Sequence, residues 1–295
     1  MKLACCMIMG ATAAIPTVKL NNGVEMPLIS LGTWQYNSTV AEATVKLGMK
    51  VGFNHIDTAH TYENQDGVGR ALAGLDRKSY FLTTKVPAPS TTKYYDETNQ
   101  YLSDDLKFLN LDQVDLMLLH FPPKTNDCAV MQEQWRAMED FYKAGKAKAI
   151  GVSNYCISSL ECIAEKATVT PAVNQVEFHI GMGPDPTGLK SYCDSKGIFL
   201  QAYSPLGDGT TELITGPLVS SIGKSHGKSG AQVSLRWLVE HNIPLSTKST
   251  SEKHLQEDLD IFEWSLTSEE KSKLDAATSP AGTPSFMCKS ETVVV

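Results

Sequence analysis

The sequence has no apolar run near the ~18 residues that a membrane-crossing helix needs, so no such helix is expected. It has no C-x-x-C pair, and its seven cysteines are odd in number and irregularly spaced: Cys5, Cys6, Cys128, Cys156, Cys162, Cys193 and Cys288. That pattern argues against a disulfide framework and against a zinc site. Reduced thiols, no metal and a cytoplasmic location are the expectation. No glycine-rich G-x-G-x-x-G is present, no Pro- or Ser-rich linker divides the chain, and no internal repeat is visible. Positive charge is in short supply, with 26 Lys and Arg against 33 Asp and Glu, a net charge of −7. Such a surface disfavours nucleic acid and anionic membrane as partners, while leaving room for a local basic pocket for phosphate.

What is present fits an ordinary globular protein: 295 residues, 42% hydrophobic and 20% charged. A chain of this length buries roughly three quarters of its unfolded surface and folds without a metal or disulfide staple. Residues 1–16 read as an N-terminal extension and 17–295 as one domain. Within the extension, Lys2, the apolar stretch Leu3–Met9 and the small-x-small Ala11-Thr12-Ala13 leave a short cleaved targeting signal as the alternative to a dispensable tail.

Strand and helix patterns alternate from residue 17 onward. Thr17–Leu20, the turn Asn21-Asn22-Gly23 and Val24–Met26 read as a hairpin, since Asn-Gly supplies the positive φ of a tight turn. Eight short apolar runs follow: Leu28–Leu31, Phe53–Asp57, Tyr80–Lys85, Val114–His120, Ala147–Val152, Ala172–Glu177, Phe199–Ala202 and Ile243–Ser246. Between them lie segments of 3.6-residue period, such as Met131, Trp135, Met138 and Tyr142; Leu102, Leu106 and Leu109; Leu160, Ile163 and Ala167; and Leu255, Leu259 and Phe262. Gly52 and Gly145 stand where helix C-terminal caps are expected. Eight strands alternating with helices predict a (β/α)8 TIM barrel behind a hairpin. The rival open sheet would carry the missing glycine fingerprint.

In such a barrel the strand C-termini hold the chemistry. Here they carry Asp57, Lys85, His120, Ser153-Asn154, Asn174, Gln175, Glu177 and Tyr203-Ser204, with Tyr62 in the loop after Asp57. Taken singly, each reads as a turn, rim or core residue. Taken together, Asp57, Tyr62, Lys85 and His120 converge from neighbouring strands. The Lys85 ammonium, held by Asp57, is expected to lower the Tyr62 pKa, so that the phenol gives its proton to an oxygen becoming an alkoxide. His120 orients the same oxygen. A proton-donating site with no nucleophile suits carbonyl reduction, with hydride from a cofactor.

Six ordered stretches resemble the aldo-keto reductase family: His55–Gln65, Thr84-Lys85-Val86, Leu118–Pro122, Ile150–Asn154, Val173–Glu177 and Gln201–Gly207. The resemblance covers roughly residues 17 to 280. It implies a reductase with Asp57, Tyr62, Lys85 and His120 as catalytic tetrad and NADPH as cofactor, NADH being the alternative. It implies that Ser153, Asn154 and Gln175 bond the nicotinamide amide and that Tyr203 stacks on its ring. It also implies cofactor contacts from Thr33, Asp57, Ser204 and Leu206. Lys248, Ser249 and Thr250 match the family's phosphate-binding motif, but His254 stands where arginine is usual. Asp258, after Glu257, stands where asparagine usually meets the adenine. Histidine is a poorer phosphate fork than arginine, which weakens the expected NADPH preference. Trp34 and Phe121, with Tyr62 and His120, are expected to line the substrate pocket. The short segment Pro122–Met131 and the short tail after Ser279 predict an open, shallow cleft for small or varied aldehydes and ketones. A monomer is expected. The alternatives are a non-catalytic, cofactor-binding barrel in a channel-subunit or structural role, and an NAD-dependent alcohol or alditol dehydrogenase.

Overall fold

The computed structural model describes residues 14–283, so the N-terminal extension up to residue 13 and the tail beyond 283 lie outside it. At the start, β1 (Thr17–Lys19) pairs antiparallel with β2 (Glu25–Pro27), Val18 facing Met26. Gly23 takes φ +88° in the connecting turn, a left-handed conformation that glycine adopts without Cβ strain.

Eight parallel strands then close into a barrel: β3 (Ile29–Gly32), β4 (His55–Asp57), β5 (Phe81–Val86), β6 (Val114–Leu119), β7 (Ala147–Ser153), β8 (Val173–Glu177), β9 (Phe199–Tyr203) and β10 (Leu245–Thr247). Their order round the barrel follows the chain, and β10 pairs back onto β3. Every strand end lies within two residues of the run read from the sequence. The outer layer comprises α1 (Ser38–Val51), α2 (Gln65–Leu72), α3 (Tyr94–Leu109), α4 (Cys128–Lys143), α5 (Ile157–Ala164), α6 (Leu189–Ser195), α7 (Thr211–Ile214), α8 (Pro217–His226), α9 (Gly230–Glu240), α10 (Glu252–Leu259) and α11 (Ser268–Asp275). Two periodic patterns overrun their helices: Ala167 lies past the end of α5 and Phe262 past α10.

The two-residue period of the strands divides the core. On β6, Met117 and Leu119 join the large cluster shared with the helices, whereas Leu116 and Leu118 join the smaller cluster inside the barrel. Val18, Leu20 and Met26 of the hairpin belong to that inner cluster, so the hairpin plugs the N-terminal mouth. Asn21 and Asn22 tie the plug down by donating to the Pro171 and Lys148 carbonyls, at 3.0 and 2.8 Å. The opposite mouth, at the strand C-termini, stays open.

The expectation of reduced thiols is overturned at Cys128 and Cys162, which form a disulfide with a Cα–Cα distance of 5.7 Å. Cys156 is disulfide-bonded as well. The spacing of 34 residues carries no recognisable signature. The packing of α4 on α5 is what brings the first residue of one helix to the second turn of the other. Disulfides are rare in the cytosol, so the thiol-based reason for a cytoplasmic location falls away. Cys193, the free cysteine among the described residues, is buried, and burial pushes its thiol up to about 12. Closing a loop of 34 residues should contribute about 3–4 kcal/mol through the unfolded state. A Cys128→Ser/Cys162→Ser variant should therefore melt several degrees lower, and a non-reducing digest of the wild type should yield the linked peptide pair. Unlinked peptides in that digest would remove the staple.

Candidate active site

Because side chains alternate along a strand, the residues that point into the barrel mouth are fixed by register. Gly32 pairs with Asp57, Asp57 with Thr83, and Lys85 with Leu118. Ser153 pairs with Gln175, and Glu177 with Tyr203. This ladder delivers Asp57, Lys85, Ser153, Gln175 and Tyr203 to one end of the barrel.

Lys85 is the centre of the site. It is 1% exposed, and its three ammonium protons are all engaged: Asp57 Oδ1 at 2.5 Å, the Thr58 carbonyl at 2.9 Å and the Tyr62 hydroxyl at 3.3 Å. Burial is the largest single influence and works against the ammonium, but Asp57 and Tyr62, through charge and hydrogen bonds together, outweigh it, and the net shift of the Lys85 pKa is upward. The other carboxylate oxygen of Asp57 accepts from Gln175 Nε2 at 2.7 Å, and that same nitrogen donates to Gln201 Oε1 at 3.0 Å.

Tyr62 sits on a short 3₁₀ turn, His60–Tyr62, closed by Glu63 at φ +54°. Two anchors hold the turn. His60 Nδ1 lies 2.6 Å from Asp105 of α3, a contact that raises the His60 pKa. On the other side, the buried Asn64 donates to the carbonyls of Thr33 and Tyr36, each at 2.8 Å, and accepts from the Thr58 hydroxyl at 3.1 Å. The expectation of a lowered Tyr62 pKa needs correction. Burial raises it, Lys85 offsets only part of that, and the net direction is up. The phenol is therefore protonated across neutral pH.

His120, just past β6, has its ring 5.6 Å from that of Tyr62. Burial and the Lys85 charge push its pKa down to about 3, so the imidazole is neutral. Its Nδ1 lies 3.3 Å from the Thr61 hydroxyl, and the tautomer that accepts there carries its proton on Nε2.

Asp57, Tyr62 and His120 line one end of a cleft of about 680 Å³. Ser153, Asn154, Gln175, Tyr203, Ser204 and Leu206 also line it, as do Lys248, Ser249, His254, Glu257 and Asp258. Trp34 and Phe121 stand at the mouth, 42% and 37% exposed. Asn154, at φ +63°, donates to the His120 carbonyl at 3.0 Å and accepts from the Tyr203 hydroxyl at 2.8 Å, so it fixes the Tyr203 ring. Thr33 and Thr250 are not brought to the cleft. Thr33 is buried, its hydroxyl 3.2 Å from the Asp57 carbonyl, and Thr250 is exposed. Lys248 is not turned toward His254. Its ammonium donates to the Trp34 carbonyl at 3.2 Å and to Gln35 Oε1 at 2.9 Å, and lies 5.4 Å from the centre of the Trp34 ring.

Sequence reasoning missed several contributors. Gln201, Thr61 and Asn64 support the tetrad from behind. Ile214, Thr215, Ser229 and Ala231 line the far end from α7 and the start of α9. A legible signal existed for the last of these: Ser229 and Gln232 form a capping box, the S-x-x-Q pattern ahead of an apolar run. Among the described residues no cluster of potential metal ligands occurs, and no helix is long and apolar enough to cross a membrane.

A model of the aldo/keto reductase family matches residues 28–279. The chain is 40% identical over 268 residues to a glyoxal reductase of Bacillus subtilis, a match covering 90% of this chain and 94% of that protein. It superposes with a TM-score of 0.82 on an aldo-keto reductase from a Medee basin deep-sea metagenome, 35% identical, covering 89% of this chain and 95% of the other. A Bombyx mori aldo-keto reductase in complex with NADP gives a TM-score of 0.78 at 30% identity, covering 89% and 92% of the two chains.

Removing one member of a buried ion pair strands the other, at a cost of about 3–5 kcal/mol. Asp57→Asn should therefore lower the denaturation free energy by about that amount, and adding Lys85→Met should recover part of the loss. Additive losses in a denaturant titration of the three variants would show that the two groups are not coupled.

Proposed function

This chain belongs to the aldo/keto reductase family, oxidoreductases that act on carbonyl compounds, and from that premise we propose that it reduces aldehydes and ketones to alcohols with NADPH, Tyr62 acting as general acid. The observation that carries the reading is one cleft lined both by the Tyr62–His120 pair and by Lys248 and His254. The residues fit a dinucleotide. Tyr203 offers a fixed aromatic face. The Gln175 amide nitrogen is committed to Asp57 and Gln201, so the atom it has left for a ligand's amide is its carbonyl oxygen. Ser153 and Asn154 flank it. Lys248, Ser249 and His254 are the proposed holders of a 2′-phosphate, with Glu257 and Asp258 at the adenine.

When bound, a reduced nicotinamide supplies the hydride. Tyr62 keeps its proton until a carbonyl oxygen gains charge, because burial disfavours the phenolate. Lys85, 3.3 Å from the phenol oxygen, stabilises the phenolate that proton transfer leaves behind. The neutral His120 donates to the same substrate oxygen and fixes its position. Trp34 and Phe121, both exposed at the mouth, form an open wall suited to small or varied carbonyl compounds. The hydrogen bonds that join Asp57, Lys85 and Tyr62 favour catalysis over a purely structural barrel.

Tyr62→Phe should cut turnover by roughly 10²–10⁴-fold, the usual reach of a general acid, while cofactor binding measured by protein fluorescence persists. Activity within a factor of two of wild type would remove Tyr62 as the proton donor. A panel of carbonyl substrates run with NADPH and NADH in parallel should show turnover with both and a preference for NADPH. His254→Arg should widen that preference, because guanidinium grips phosphate bidentately and keeps its charge. An unchanged cofactor ratio in His254→Arg would place the phosphate elsewhere.

A further inference from the structure

Of Asp57, Tyr62, Lys85 and His120, the last is the one whose side chain takes no part in the hydrogen bonds around Lys85. Its ring is held mainly by packing. Phe121 stacks on it with 4.7 Å between ring centres, and Tyr62 meets it edge to face at 5.6 Å. Among the described residues the Thr61 hydroxyl, 3.3 Å from Nδ1, is the sole hydrogen-bond partner of the ring. No carboxylate or carbonyl bonds either nitrogen there, so nothing else polar chooses between the two tautomers.

That choice matters because the imidazole is neutral and carries one ring proton. The Thr61 hydroxyl has no second hydrogen-bond partner among the described residues. If it donates to Nδ1, its proton and the Nδ1 lone pair satisfy each other, and Nε2 carries the ring proton. If it accepted from an Nδ1–H, its own proton would have no protein acceptor, and Nε2 would offer a lone pair where a carbonyl oxygen needs a donor. The place of Thr61 is fixed on both sides. It lies between His60 and Tyr62 on the 3₁₀ turn and lines the cleft. His60 lies 2.6 Å from Asp105 Oδ1, and Oδ2 of the same buried carboxylate accepts from the Thr84 hydroxyl at 3.3 Å. Gln65 donates to that hydroxyl at 2.6 Å, and Tyr62 is held by Lys85.

We propose that Thr61 is a positioning residue: its hydroxyl donates to Nδ1 of His120 and so holds the Nε2–H tautomer that donates to the substrate oxygen. The inference rests on the reductase reading for the substrate oxygen and deepens it by naming the group that prepares His120. Valine has nearly the shape of threonine without the donor, so it separates the hydroxyl from the volume it fills.

The experiment is ¹⁵N NMR of the histidine rings in the full chain, with the His120 signals assigned by their loss in His120→Asn. It is paired with kinetics on the aldehyde that wild type reduces fastest with NADPH. Wild type should show His120 as one tautomer, with the proton on Nε2 and Nδ1 shifted as a hydrogen-bond acceptor. Thr61→Val should lose that acceptor shift, and its kcat/KM for the aldehyde should fall about 10- to 100-fold with NADPH affinity unchanged. Thr61→Ser keeps the hydroxyl and should return both the spectrum and kcat/KM to within about threefold of wild type. A proton on Nδ1 in wild type would overturn the proposal without recourse to any variant. His120 signals in Thr61→Val identical to wild type would overturn it, as would an altered spectrum with undiminished kcat/KM. Thr61→Ser as slow as Thr61→Val would assign the effect to packing and overturn it as well. Absence of carbonyl turnover by wild type would overturn the reductase reading instead, and the spectra would still decide which nitrogen Thr61 protonates or spares.

Discussion

A single ammonium in the barrel mouth organises the catalytic end of this protein. Lys85 is among the largest fully buried side chains, and an isolated charge there would be untenable. It persists because three oxygens, from Asp57, Thr58 and Tyr62, take its three protons. Each of those oxygens must in turn be held. Asp57 is held by Gln175 from across the barrel, and Gln175 by Gln201. The turn bearing Tyr62 is held by Asn64 on one side and by the His60–Asp105 contact on the other. The requirement to satisfy one buried charge thus spreads through β4, β5, β8, β9 and two loops.

That network also sets the chemistry. A phenol in this setting experiences two opposed influences, burial that keeps its proton on and an ammonium that stabilises its loss. Burial is the larger in the resting site. The balance gives a phenol that holds its proton in the resting site and has an ammonium beside it to stabilise its loss. His120 is kept neutral by the same burial and the same ammonium, and so contributes a hydrogen bond without a competing charge.

Much of this was legible in the sequence, for a physical reason. Barrel strands are short apolar runs whose period and ends are local properties, so β5 and its terminal Lys85 could be placed to within a residue. That Asp57, Tyr62, Lys85 and His120 come together followed because strand order equals chain order. What stayed hidden depends on contacts between distant segments. Nothing local in Cys128 and Cys162 says that α4 and α5 place them side by side. Thr33 looks like a cleft residue by position, yet its hydroxyl turns inward to the Asp57 carbonyl. Lys248 matches a phosphate-binding motif, yet its long side chain lies across Trp34. The direction of the Tyr62 shift was misjudged because charge is visible in a sequence and burial is not.

The two ends of the cleft are built by different means, and this explains where the chain departs from the pattern of its family. The catalytic end hangs on the strand ladder, where moving one residue would uncouple the Lys85 network. The far end is assembled from α7, α9 and α10, joined by contacts such as the Ser234 hydroxyl on the Leu213 carbonyl and the Gln232 amide on the Glu257 carbonyl. No barrel strand supplies His254 or Asp258. Both side chains line the cleft, and neither is among the partners of the buried Lys85 ammonium. The departures from the family resemblance therefore fall outside the hydrogen-bond network around Lys85, which is complete.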